Sequence, residues 1–502
     1  MSPWRGDRIG CTTKEYTYMV TDDGTRSPLP DMVGDKPRLQ GRMGVFEIAF
    51  TVMAFSSPLT VAWGYLPVVI LFGGIGAPIN FLFTMGLLLL FSVGYVKMSR
   101  SIPNPGAFYA FIAHGISKTW GLGSAYLASF GYLAILAGIN TFFGISLGAI
   151  IESLGGPSIP WYILSPILLM LVGVFGYVGI QFSAKTLAAL LVLEVLAVVI
   201  FDVVAFINGG ADGRSLEPLT IGAFIDGGMG LGILFCITMF IGFEGTAIFR
   251  EEAKDPDKTI PRATYLSVGF IGIFYSFTTW MLINTVGSDS VMDKAENDPA
   301  GLFPDAFASL LGVLFKDIVG VFLLTSIFAS TLATHNIMSR YLYNLGVDKA
   351  LPQYLGEVHP KQHSPYKASI TTSAATAVVL ALAAIIGFDP GMFYGRAAGV
   401  GAMSLMVLML FTSIAVIVHF RRPGNEASAW SGLIAPGLAT LGLGVVIILS
   451  IAKFNLLLGT PTGLSVLFLL VILAVFVAGI IVANYLKKSR PDIYERIGRA
   501  KV

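Results

Sequence analysis

Two short stretches place chemically able residues inside long apolar runs. Residues 240–249 read FIGFEGTAIF, so Glu244 stands between Gly242 and Gly245. Residues 56–60 read SSPLT, which puts Ser56, Ser57, Pro58, Leu59 and Thr60 in the middle of another run. Glycine makes departure from a helix cheap, and proline removes an N–H donor and clashes with the preceding turn. A helix interrupted in this way frees backbone N–H and C=O groups. In hydrocarbon each freed group costs several kcal/mol unless protein, water or a ligand satisfies it. An acidic residue near the centre of a membrane helix costs about 2.5–3.5 kcal/mol and therefore faces a cavity or a partner. The pattern predicts a cavity where two broken helices meet. A kink at SSP and a Glu244 reaching toward water beside Arg250 are the plain structural alternatives.

The other reactive residue types offer little. His114, His359, His363, His335 and His419 have no zinc spacing. Cys11 and Cys236 form no disulfide or metal pattern. GGIGAP (73–78) follows an apolar run and not a strand, so it is not a nucleotide fingerprint. Glu194 and Glu244 are the only carboxylate pair at depth that an enzyme would have, so no catalytic site, metal or cofactor is expected. Glu194, in LLVLEVLAVVIF, fits a proton carrier, a cation ligand or a neutral acid bonded to a neighbouring helix. Asn140 either faces a ligand or bonds across helices.

The elements that position these residues are transmembrane helices. The chain has 502 residues, 55% hydrophobic and 12% charged, against about 25% charged in soluble domains. Splitting the apolar runs at Gly, Pro and Asn clusters predicts twelve spans near 45–72, 75–97, 122–151, 157–178, 184–207, 227–250, 263–287, 318–344, 367–387, 392–419, 430–452 and 462–486. That topology puts 27 of the 32 lysines and arginines on one face and 5 on the other. The positive-inside rule makes the rich face cytoplasmic, with both termini there. The net charge of +2 follows from topology and implies no nucleic-acid partner; the bilayer is the expected surroundings. Residues 1–42 read as a polar, disordered cytoplasmic tail with no cleavable signal, and 487–502 as a basic cytoplasmic tail. The segment Asp289–Asp317 reads as a solvated outer loop, and EEAKDP (251–256) as a helix cap.

The interrupted spans are the first and the sixth. Spans one to five (43–208) and six to ten (226–420) then form two copies of one unit, inserted in opposite senses because five is odd, with two peripheral spans at 430–486. Secondary transporters are built this way. Half-helix N-termini attract an anion and half-helix C-termini a cation, so a zwitterion such as an α-amino acid satisfies both.

FIGFEGTAIFREEAKDPDKTIPRATYLSV (240–268), IPNPGAFYAFIAHGISKTWGLGSAYLASFGY (102–132) and HNIMSRYLYNLGVDKALP (335–352) resemble, in order, signature regions of the amino acid–polyamine–organocation (APC) transporter superfamily. The resemblance implies an all-α leucine-transporter-like fold and the uptake or exchange of amino acids or related amines. It implies that a substrate carboxylate lies against Ser56, Ser57, Pro58, Leu59 and Thr60, with SSPLT replacing the glycine pair usual in relatives. It implies that carbonyls near Phe240, Ile241 and Phe243 accept the ammonium, that Gly242 and Gly245 permit the break, that Phe243 serves as an aromatic gate and that Glu244 fixes the broken helix. Glu194 replaces a lysine that several relatives carry near a sodium position. Ser330 and Thr331 either line a sodium site or serve helix packing. The coupling ion is expected to be H+ or Na+. Driven by an ion gradient or by exchange, an amino acid transporter of the plasma membrane is the leading expectation. A polyamine or organic amine transporter comes next, and a channel or membrane enzyme lacks a filter repeat or a catalytic set.

Overall fold

The computed structural model describes residues 18–20, 26–28, 43–178, 180–211, 213–227 and 229–499. In the polar N-terminal region β1 (Tyr18–Val20) and β2 (Arg26–Pro28) pair antiparallel, with Met19 opposite Ser27. A short hairpin thus occupies part of the tail expected to lack structure.

The remainder is helical. The first span comprises α1 (Val45–Ser56), the single turn α2 (Pro58–Thr60), a π-helical segment (Val61–Tyr65) and α3 (Leu66–Gly73). There follow α4 (Ala77–Ser101), α5 (Phe108–Gly115), α6 (Lys118–Ser153), α7 (Trp161–Val178), α8 (Ile180–Asn208) and the short α9 (Ile221–Asp226). The sixth predicted span comprises α10 (Met229–Phe240), α11 (Gly245–Ile248) and a 3₁₀ segment (Phe249–Glu252). Beyond it lie α12 (Pro256–Val286), α13 (Ser288–Asn297), α14 (Pro299–Leu311), α15 (Val313–Val347), α16 (Tyr366–Ile386) and α17 (Pro390–Phe420). The last helices are α18 (Ala435–Ala452), α19 (Phe454–Leu458), α20 (Thr462–Ser489) and α21 (Pro491–Arg496).

Eleven of the described helical segments are long and apolar enough to cross a membrane, and Trp161–Tyr177 is a shorter apolar helix at the position of the expected fourth span. Several helices outrun the predicted apolar windows. α6 has 36 residues and α15 has 35, because a polar residue beyond the hydrocarbon does not stop a helix. The segment read as a solvated loop, 289–317, instead forms α13 and α14. Asp298 caps α14 by accepting from Gly301 N–H at 3.0 Å, and Phe303 and Phe307 pack on Phe201 of α8 at 4.9 and 5.9 Å.

Burial differs sharply between spans, and this locates the breaks. The most apolar window of Gly232–Glu252 is 94% buried and that of Val45–Gly73 is 78% buried, against 22% for Thr462–Ser489. The interrupted spans lie in the protein interior, which is where freed backbone groups are tolerated. α1 is held between α8, α12 and α15. α6 and α17 approach closely because Gly131 and Gly401 face each other; a Cβ on Gly401 would lie 2.8 Å from the Gly131 carbonyl.

The end of the bundle where α1 begins is tied by buried polar contacts. Arg340 of α15 grips Glu252 through Nε–Oε1 at 2.7 Å and Nη2–Oε2 at 3.1 Å, over the Phe249 ring. Met43 N–H donates to the Glu252 carbonyl at 2.8 Å. Nearby, Asp348 accepts from Tyr109 OH and Gly498 N–H, each at 3.0 Å, and pairs with Arg499, while His114 Nε2 bonds the Gly498 carbonyl.

Candidate substrate cavity

The first and sixth predicted spans each depart from regular helix at one point, and each departure has a local cause. In the first, α1 ends at Ser56 and Ser57 takes a left-handed conformation, φ 47°. A non-glycine residue there carries about 1–3 kcal/mol of strain. Its hydroxyl offsets part of this by donating to the Ala54 carbonyl at 3.0 Å and the Ser326 carbonyl at 2.7 Å. Pro58 then opens α2, where its missing N–H is no loss. In the second, four turn residues follow Phe240, and Gly242 has φ 108°. A Cβ on Gly242 would lie 2.6 Å from Phe55 Cγ, so the two breaks touch.

Glu244 stabilises the second break from within. Its Oε2 accepts from Gly242 N–H at 2.9 Å, an amide the break sets free, and its Oε1 accepts from Tyr132 OH of α6. Tyr95 OH of α4 donates to the Glu244 carbonyl at 2.5 Å. One residue thereby binds the break to two flanking helices. Phe243 is fully buried and packs edge-on against Phe91 at 5.8 Å and near Tyr95 at 6.4 Å.

Beside the junction lies a cavity of about 230 Å³. Phe55, Ser56, Ser57 and Thr60 form one wall, and Thr238, Met239 and Ile241 form another. Ile135, Ile139 and Phe142 of α6 and Ser330 of α15 close the sides. Tyr65 and Tyr394 lie 6.2 Å apart edge-on, with Phe142 stacked on Tyr394 at 4.8 Å. Among the described residues that line it there is no Asp, Glu, Lys, Arg or His.

Of the residues singled out in the sequence, Ser56, Ser57, Thr60, Ile241 and Ser330 come together at this cavity. Pro58, Leu59, Phe240, Gly242, Phe243, Glu244 and Gly245 shape the breaks without lining it. Asn140 is buried next to the lining residue Ile139 but is not itself in the wall; its amide donates to the Leu136 carbonyl at 2.8 Å. Thr331 bonds back to the Ile327 carbonyl at 2.7 Å within its own helix.

Glu194 lies behind the first break. Ser326 OH donates to its Oε2 at 2.6 Å, and the Leu59 amide is close to the carboxyl. Ser326 also receives Thr60 N–H at 3.2 Å and Thr60 OH at 3.0 Å. The amides at the start of α2, expected to face a substrate carboxylate, are therefore engaged by Ser326 or lie beside Glu194. Ser330 OH donates to the Phe55 carbonyl at 2.8 Å. The Ser57 hydroxyl is thus shared between the Ala54 and Ser326 carbonyls, and the Ser330 hydroxyl engages that of Phe55. The sequence reading missed Ser326, although it precedes Ser330 by four residues and so shares its face. Tyr132, Tyr65 and Tyr394 carried no sequence signal, because a tyrosine in an apolar helix is equally at home in the core.

The amino acid permease family model matches residues 43–483, a range that contains both breaks and the cavity. The chain belongs to the amino acid permease family. The permease is 27% identical over 349 residues to the low-affinity putrescine importer PlaP of Escherichia coli (strain K12), covering 68% of this chain and 73% of that protein. It is 22% identical over 381 residues to the branched-chain amino acid permease BcaP of Lactococcus lactis subsp. cremoris, covering 71% and 77%. It is 24% identical over 290 residues to the histidine permease HisP of the same organism, covering 55% and 59%. It is therefore a polytopic membrane transporter of the APC superfamily.

Proposed function

We propose that the permease carries α-amino acids with uncharged, mainly apolar side chains across the plasma membrane by alternating access, with proton coupling through Glu194. Twelve spans and two cytoplasmic termini, the reading of the basic-residue distribution, belong to this proposal.

The observation that carries it is the wall of the cavity. With no ionisable acid or base in the lining, ligand charge must be met by hydroxyls and backbone. A zwitterion has no net charge and suits such a wall. A diamine with two positive charges needs carboxylates, and Glu194 and Glu244 are both directed elsewhere. Ile135, Ile139, Phe55 and Phe142 favour an apolar side chain. The engaged carbonyls around Ser57 and Ser330 support a proton over sodium as the coupling ion.

Competition for radiolabelled uptake into proteoliposomes tests this reading. Leucine or phenylalanine should compete, and lysine and putrescine should not. The second reading, putrescine or a related amine, draws on the resemblance to PlaP. Competition by putrescine without competition by any neutral amino acid would establish it and overturn the first.

A further inference from the structure

A second buried carboxyl, Asp202, lies two helical turns beyond Glu194 on α8 and takes no part in the cavity. It is 3% exposed. Its Oδ2 accepts from Thr278 OH of α12 at 2.8 Å, and its Oδ1 has no partner among the described residues. Glu194 Oε1 makes no well-formed hydrogen bond among the described residues, with the Leu59 amide beside that carboxyl. An eight-residue spacing puts both acids on one face of α8, about 12 Å apart along the axis. Direct transfer over that distance is excluded, but α12 runs alongside and presents hydroxyls. Thr278 touches Asp202. Tyr275, one turn away on the same face of α12, has its OH 2.7 Å from Ser56 Oγ and lies within the electrostatic reach of Glu194.

Among the described residues no cation is paired with Asp202; Arg214, after α8, donates to the Phe206 and Ile207 carbonyls and lies over the Phe206 ring, and Lys185 is at the opposite end of α8. Of the helices packed on α8, α2 and α7 carry no charged residue, and α1 has Glu47 near its start. α14 has exposed Asp305, and α15 has Lys316 and Asp317 at its exposed start and His335 and Arg340 in its far half. α12 brings Tyr275 and, at its far end, Asp257, Lys258 and Arg262. The ion pairs among the described residues do not include Asp202 or Glu194. A metal ion would need six or more oxygens, and Thr278 supplies one. An unpaired carboxylate is costly to bury, whereas the neutral acid is tolerated. Each carboxyl is thus suited to holding and releasing a proton.

We propose that Asp202 is the first proton acceptor of the coupling pathway, passing its proton by way of Thr278, Tyr275 and Ser56 to Glu194. The proton leaves an Asp202 carboxyl and arrives on a Glu194 carboxylate, with each hydroxyl giving one proton as it receives another. Two hops are not already joined by a hydrogen bond, Thr278 to Tyr275 and Ser56 to Glu194, and each requires a side-chain rotation or a bridging water. Under the proposed topology Asp202 lies on the outer side of Glu194, six residues from the end of α8 at Asn208. Because Ser56 also lines the cavity, the path joins the ion site to the substrate site. This inference rests on the proposed proton coupling.

The test uses full-length permease in proteoliposomes, comparing uptake driven by an inward proton gradient with counterflow at equal pH on both sides. Asp202→Asn keeps the bond from Thr278 and should cut gradient-driven uptake by about 10-fold or more, leaving counterflow within about twofold of wild type. Thr278→Val, which leaves the acid in place, should slow gradient-driven uptake in the same selective way. Equal loss of both activities in both variants would overturn the relay, as would no change in either. Wild-type uptake indifferent to the proton gradient would instead defeat the coupling proposal itself.

Discussion

Ser326 Oγ stands 2.6 Å from Glu194 Oε2 and at the same time receives both the amide and the hydroxyl of Thr60. One serine on α15 thereby links an acid on α8 to the restart of the broken first span. A change of charge on Glu194 is felt at α2 through a single hydroxyl.

If that link carries coupling, Glu194→Gln should abolish the acceleration of uptake by an inward proton gradient. Substrate binding, read as a ligand-induced thermal shift, should persist. Ser326→Ala should cost about 1–3 kcal/mol by orphaning the Thr60 amide and weakening the hold on Glu194, seen as a lower unfolding temperature. An unchanged pH and sodium response in Glu194→Gln would remove that residue from coupling.

Glu244→Gln keeps the shape of the strut but replaces one accepting oxygen by an NH2 group, which cannot accept from Gly242 N–H or Tyr132 OH. Leaving one buried donor without its acceptor costs about 1–3 kcal/mol, so uptake per inserted molecule should fall about 10-fold or more while membrane insertion stays normal. Normal uptake would refute the role of this carboxylate at the break.

Gly242 combines a positive φ with a close approach to Phe55. Gly242→Ala should destabilise by about 1–3 kcal/mol from backbone strain alone, with the clash in addition. Phe55→Ala leaves the Cβ of residue 55 at 2.8 Å from the new Cβ and opens a cavity, so adding it should not restore stability. Full recovery of thermal stability in the double variant would show that the backbone angle is not a constraint.

The Arg340–Glu252 pair is buried on both sides, with side chains 3% and 2% exposed. Removing one partner strands the other, so Arg340→Ala should cost about 3–5 kcal/mol. Replacing both residues by apolar ones of similar volume should restore much of the unfolding temperature. Additive losses in the double variant would deny the coupling.

Two groups outside the spans predict opposite pH effects on stability. Burial lowers the His114 pKa, against an opposing hydrogen bond to the Gly498 carbonyl. The folded state then binds a proton less readily than the unfolded chain. Stability from this group is complete above 6.5, its ordinary value, and is lost as pH falls through the lowered folded value. Burial raises the Asp348 carboxyl, with Arg499 and the Gly498 amide opposing. Its contribution is complete below 3.8, its ordinary value, and is lost as pH rises through the raised folded value. His114→Gln should flatten the decline in unfolding temperature as pH falls below 6.5, and Asp348→Asn should flatten the decline as pH rises above 3.8. Curves parallel to wild type would contradict both assignments.

The sequence by itself determined the medium, the helical class and the two places where helices give way. Those properties follow from local composition: apolar runs long enough to span a bilayer, and Ser57-Pro58 or Gly242-Glu244-Gly245 within them. The spacing of charge was enough to mark Glu194 and Glu244 as unusual. Only the tertiary structure decided what those acids touch. Glu244 meets Tyr132, 112 residues away, and Glu194 meets Ser326, 132 residues away. Asn140 and Phe243 sit next to the right elements yet miss the cavity wall, because helix rotation is set by packing between segments and not by the residues themselves. The uncharged character of that wall is a property of several helices at once, so it exists only in the folded chain.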